Sequence, residues 1–105
     1  MCYHCCTLYY SYIVPSEVNL LEARNSLTAI TVFWDPVSSE CDLNVTYKVS
    51  CFSNDGNHEE DLEEENQYTF TNLTALTTYT VQVSSCYGAH CSDPREITVR
   101  TSGKK

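Results

Sequence analysis

Cys86 and Cys91 bracket the tetrapeptide Tyr87-Gly88-Ala89-His90, and Asp93 follows two residues further on. A thiol beside an imidazole and a carboxylate has the composition of a cysteine nucleophile with its base and orienting group. The same residues suit a second chemistry. If the two cysteines end neighbouring antiparallel strands, their Cα atoms reach the ~5.5 Å spacing that a disulfide bridges. Closeness in sequence on a turn does not build a water-excluding pocket. The expectation is therefore a structural Cys86–Cys91 bridge, with no catalytic residue assigned.

Three further clusters bear on chemistry. Cys2, His4, Cys5 and Cys6 are metal-ligand types, but a closed zinc site draws four ligands from separated elements, and this run supplies them side by side. Seven of the fourteen acids, from Asp55 to Glu65, fall in eleven residues that hold no Lys or Arg. They lack the ligand spacing and the turn glycine of a calcium-binding loop, so a solvated, charged edge is expected and neither metal nor cofactor. Asn44-Val45-Thr46 and Asn72-Leu73-Thr74 are glycosylation sequons, each placed at a loop or strand end.

Seven cysteines in 105 residues, together with the two sequons, point to an oxidising, extracellular setting. The odd count leaves at least one cysteine unpaired within a monomer. If Leu43 to Cys51 is continuous strand, Cys41 and Cys51 lie roughly 30 Å apart and cannot bridge. Cys41 then sits at the Cys86–Cys91 end and can exchange with that pair, while Cys51 serves as a small buried hydrophobe. Net charge is −8, and without a basic stripe the chain is a poor binder of nucleic acid or of an anionic membrane surface.

The elements that must position these residues follow from period-two alternation. Tyr68 and Phe70 oppose Thr69 and Thr71, and Tyr79, Val81 and Val83 oppose Thr80, Gln82 and Ser84, so both runs read as strands with one buried face. Between them Leu73 precedes Tyr79 by six residues. That spacing suits a tyrosine corner, where the ring packs on the core and the hydroxyl returns to a nearby backbone group.

Upstream, Val18 and Leu20 suggest a first strand closed by a turn at Arg24-Asn25-Ser26. Ala29 to Trp34 is a second strand, with Ile30, Val32 and Trp34 inward and Asp35-Pro36 ending it. Leu43, Val45, Tyr47, Val49 and Cys51 line a third, and Asn54-Asp55-Gly56 is a turn. The acidic run forms a short edge strand whose like charges resist edge-to-edge pairing. Glu96 to Thr101 is the last strand, with Ile97 and Val99 inward. Residues 1–14 carry no charge and lie outside the fold; they fit a truncated leader, a fragment edge or a tail equally. Residues 15–101 form one domain and 102–105 a polar exit. Seven short strands with regularly spaced turns imply an all-β, seven-stranded antiparallel immunoglobulin-like β-sandwich.

Trp34 on the second strand, and the absence of a cysteine pair between the second and sixth, separate this pattern from an immunoglobulin domain. Trp34-x-Pro36, Tyr47-x-Val49, Leu73 before Tyr79-x-Val81-x-Val83 and a final Thr101, in that order and spacing, resemble the fibronectin type III family from Pro15 to Thr101. Ala75 stands where that family usually has Pro, implying a less rigid corner loop, and the cysteine content is also unusual for it. The family's Arg-Gly-Asp is absent, so integrin binding does not carry over.

The resemblance implies a non-catalytic extracellular module in a larger cell-surface receptor or adhesion protein, such as a receptor-type tyrosine phosphatase. It would act as a spacer or a protein-binding unit, with an unidentified protein and neighbouring modules as partners and no small-molecule substrate. A purely structural secreted spacer is the second reading, and a thiol- or metal-dependent enzyme a distant third. Trp34, Tyr47, Leu73 and Tyr79 are the expected core. A partner would meet the loop end formed by Val37–Asp42 and Tyr87–His90, with Glu40, Asp42, Tyr87 and His90 as contact residues. A bridged tip loses less entropy on binding than a free loop.

Overall fold

Strict alternation buries one face of a strand, and three runs in this chain deliver it. Ile30, Val32 and Trp34 are buried on one strand, Tyr47, Val49 and Cys51 on another, and Tyr79, Val81 and Val83 on a third. The computed structural model describes residues 15–37, 44–54 and 58–103, with backbone alone for 20, 21 and 58–61. Among these residues the strands are β1 (Leu20–Asn25), β2 (Ile30–Trp34), β3 (Thr46–Ser53), β4 (His58–Glu63), β5 (Gln67–Phe70), β6 (Thr78–Tyr87), β7 (His90–Cys91) and β8 (Arg95–Arg100). All pairings are antiparallel. One sheet runs β1-β2-β5; the other runs β4-β3-β6, with β7 and β8 both against β6.

The seven expected strands become eight because the last one is cut. Val83 pairs with Arg95 and Cys86 with Cys91, so three steps along β6 face four steps along its partner. That single extra residue is a β-bulge, and Pro94 within it cannot donate to the ladder. The first strand also shifts. Val18 is buried but precedes β1, and Arg24 and Asn25 belong to the ladder rather than to the turn, which falls at residues 26–29. Asn25 is a poor strand former, but its Nδ2 donates to the Arg100 carbonyl at 2.7 Å and ties β1 to β8 across the two sheets. Likewise β3 begins at Thr46 rather than Leu43. Cys41, Leu43 and residues 55 and 56 of the expected turn lie outside the described residues.

The interior is one cluster holding Trp34, Tyr47, Phe70 and Tyr79 among buried Val and Ile side chains. Trp34 meets Tyr47 edge-on, with ring centroids 5.3 Å apart and planes at 66°, the geometry that aromatic quadrupoles favour. The Tyr47 hydroxyl accepts from the Val37 amide at 2.8 Å, which fixes the chain just after Trp34. Cys51 is buried in the same cluster.

The Tyr79 hydroxyl accepts from the Thr74 amide at 2.9 Å, closing the tyrosine corner. Leu73 is half-buried against the core, and its amide donates to the Thr28 carbonyl at 2.9 Å. Thr101 locks the loop from the other side. Its Oγ1 donates to the Thr74 carbonyl at 2.6 Å and accepts from the Thr77 amide at 3.0 Å. Within this corner Leu76 adopts φ of 56°, a left-handed conformation that costs a residue with a Cβ about 1–2 kcal/mol.

Two outcomes follow for chemical denaturation. Tyr79→Phe keeps the ring in the core but strands the Thr74 amide, and is expected to lower unfolding stability by about 1 kcal/mol. Leu76→Gly relieves the positive φ at an exposed position and is expected to raise stability by about 1 kcal/mol.

Candidate functional site

Strand β6 runs from the corner loop at Thr78 to a hairpin tip at Tyr87, so its ten residues separate two poles of the sandwich by roughly 30 Å. At the tip, Tyr87 pairs with His90 and only Gly88 and Ala89 lie between them. Gly88 has φ of 59°, whereas Ala89 is not among the positive-φ residues, which is the pattern of a type II′ hairpin turn. Glycine takes that first position without the backbone strain that a Cβ brings at positive φ.

Cys86 and Cys91 sit directly opposite each other and are joined by a disulfide, with Cα atoms 4.0 Å apart. The neighbouring Ser92 amide donates to the Ser85 carbonyl at 2.8 Å, so Cys86–Cys91 is the close, non-hydrogen-bonded kind of antiparallel pair. That explains a separation shorter than the spacing expected from sequence. The bridge itself is uneven: Cys86 is buried and Cys91 exposed. A sulfur held in this bond carries no thiolate, so Cys91, His90 and Asp93 do not constitute a nucleophile with its base in this form.

Below the tip the bulge is satisfied by serine. The Ser85 amide donates to Ser92 Oγ at 3.2 Å, where a regular ladder would offer a carbonyl. Ser85 Oγ donates to the Ser16 carbonyl, and Ser92 Oγ donates to the Asp93 carbonyl at 3.0 Å. Both serines are buried, and this network joins the entering chain, β6 and the bulge. Nothing in the sequence reading singled out Ser85 or Ser92. The adjoining Asp93-Pro94 was the available signal, since a proline inside a strand pattern marks an edge or a bulge.

The candidate contact residues divide. His90 is exposed, as are Gly88 and Ala89. Tyr87 is 5% exposed, so the expectation that it offers a broad contact surface is corrected. It ends a run of five consecutive buried residues, Val83 to Tyr87, where β6 loses its one-faced alternation. Glu40 and Asp42 lie outside the described residues, as do Cys2, Cys5, Cys6 and Cys41. Both sequon asparagines are exposed. Asn44 lies two residues before Thr46, which pairs with Cys86, and so stands at the tip pole. Asn72, with φ of 60°, stands at the corner pole. Among the described residues no group of three or more His, Cys, Asp or Glu side chains is placed to hold a metal ion.

Two facing antiparallel sheets, a buried Trp on β2 and a tyrosine corner at the start of β6 define an immunoglobulin-like β-sandwich. The chain belongs to the fibronectin type III domain family, whose model matches residues 14–98. No curated protein matches it by sequence. Among solved structures it is similar to domains d3–d4 of the rat CD45 extracellular region, with a TM-score of 0.75 at 20% identity over 85% of this chain. The chain spans about half, 51%, of that structure. The FN5 domain of Drosophila Lar gives a TM-score of 0.70 at 21% identity, with 87% of this chain and 100% of that one covered. The fn3 domain of human contactin 1 gives 0.66 at 22% identity, with 89% and 83% covered. At such identities the fold is what is shared.

A bridge that closes so small a loop removes modest chain entropy. Replacing both cysteines, Cys86→Ser with Cys91→Ser, is expected to cost about 2 kcal/mol in chemical denaturation while leaving the strand circular-dichroism signature in place.

Proposed function

We propose that this chain is a non-catalytic extracellular module of a larger cell-surface receptor or adhesion protein, and that its bridged hairpin tip is a protein-contact element. The observation that carries this reading is the tip itself: a disulfide holds exposed Gly88, Ala89 and His90 in a fixed turn beyond the packed core. A pre-ordered loop surrenders less entropy on binding, and recognition residues sit on loops held by a rigid scaffold. Glu40 and Asp42, on the connection that leads toward Asn44, extend the same pole in this proposal.

The extracellular assignment draws on the disulfide and on two exposed sequon asparagines, which would carry glycans in the secretory route. The kinship in fold with the rat CD45 extracellular region, Lar and contactin favours a parent that presents modules at the cell surface, a receptor-type tyrosine phosphatase being one such parent. A spacer without a ligand of its own is the second reading. It is favoured by the burial of Tyr87, which removes the largest side chain from the tip.

The two readings separate in one measurement. A fluorescent tetramer of the oxidised, secreted domain is applied to intact cells beside a tip variant, Ala89→Arg with His90→Ala. Contact through the tip predicts saturable binding that the variant weakens by at least about tenfold. Absent binding favours the spacer, and saturable binding equal for both proteins overturns contact through the tip.

A further inference from the structure

We propose that the Cys86–Cys91 bridge is a directional redox latch on the hairpin tip, opened by thiol attack at Cys91, with the serine-satisfied bulge stopping the opening from spreading into the sandwich. Three independent features of the fold carry this.

Access differs between the two sulfur-bearing residues. Cys86 belongs to β6, a strand paired on both edges, and is 1% exposed; Cys91 belongs to the two-residue β7 and is exposed. Exchange requires a thiolate to reach a sulfur, so access directs attack to Cys91. A monothiol of the glutathione class then reacts as follows. Its thiolate forms a new S–S bond to Cys91, the Cys86–Cys91 bond breaks, and Cys86 leaves as a thiolate that takes a proton from water. A second thiol releases Cys91 as a thiol and departs as the reagent's own disulfide. Two thiols thus supply the two electrons that reduce the bridge.

Retention of the tip depends on that bond. Strand β7 pairs with β6 at two positions, and neither His90 nor Cys91 belongs to the hydrophobic cluster. So short a ladder, whose own side chains on β7 add nothing to the core, is marginal alone.

The opening has a defined end. Ser92 holds Ser85 through both a backbone and a side-chain bond, and beyond Pro94 the six residues of β8 each face a partner on β6. Ile97 and Val99 pack β8 against the core. The latch therefore frees residues 88–91, while Cys86 stays paired to Thr46 of β3 and the sandwich remains closed.

The test uses the full oxidised chain. It is incubated with reduced glutathione, trapped with an alkylating agent and mapped by peptide mass spectrometry, then followed by amide hydrogen exchange. The expected result is a glutathione adduct on Cys91 with the alkyl label on Cys86. Amides of residues 88–91 should exchange at least about tenfold faster while those of residues 78–83 are unchanged. The double variant Cys86→Ser with Cys91→Ser should show the same fast tip without any reagent. An adduct on Cys86, wholly or in equal share, overturns the direction of attack. Reduction no faster than global unfolding, faster exchange across residues 78–83, or a tip in the double variant as protected as in the oxidised chain, overturns the latch.

Discussion

Tyr79 must satisfy two demands at once, and much of the sandwich is arranged so that it can. Its ring is fully buried in the shared interior, while its hydroxyl must leave that interior to meet the Thr74 amide. A phenol buried without a partner is costly, so the corner loop has to pass within hydrogen-bond reach of the ring's end. Leu73 packs on the core from that loop, and Thr101 bonds the same loop from the end of the last strand. The corner thus joins β5, β6 and β8 at one point. The β1–β2 turn, in the same sheet as β5, is tied in through the bond from the Leu73 amide to the Thr28 carbonyl. One phenol thereby helps fix how the two sheets face each other.

Much of this was legible in the residues because strand burial has period two. Trp34, Tyr47 and Tyr79 each lie on a run whose alternation survives intact, and all three are buried in one cluster. Sequence reasoning misses where that period gives out. From Val83 to Tyr87 every residue of β6 is buried, so the period that located the core no longer separates inner from outer side chains near the tip. Sequence reasoning places Tyr87 instead among the contact residues of the loop end. The bulge was harder to find. An extra residue changes the register without changing composition, and Ser92 can stand in for a ladder carbonyl only when folding brings it to Ser85. The chain termini and the connection around Glu40 and Asp42 carry no such period.

The acidic run illustrates charge used for something other than binding. Strand β4 pairs with β3, and no described strand lies on its other edge. An open edge is a template for another chain, and a sequence of Glu and Asp along it sets like charges against any identical edge that approaches. Leu62, 63% exposed and paired with Lys48, is an apolar side chain that such an edge must protect. This accounts for the placement of Glu59, Glu60, Asp61 and Glu63 on β4 without invoking a ligand.

Core and tip answer to different constraints. About a fifth of residues agree with the rat CD45 domains, yet the TM-score is 0.75, so the sandwich tolerates wide substitution. The tip is outside that bargain. Its turn is set by Gly88, its closure by a covalent bond and its base by a bulge, none of which draws on the hydrophobic cluster. Changes at Ala89 or His90 therefore carry little cost to folding, and a fold shared so broadly says little about what any one member does. What distinguishes this chain from its structural relatives has to be sought at the poles, where residues are free to differ, rather than in the interior, where they are not.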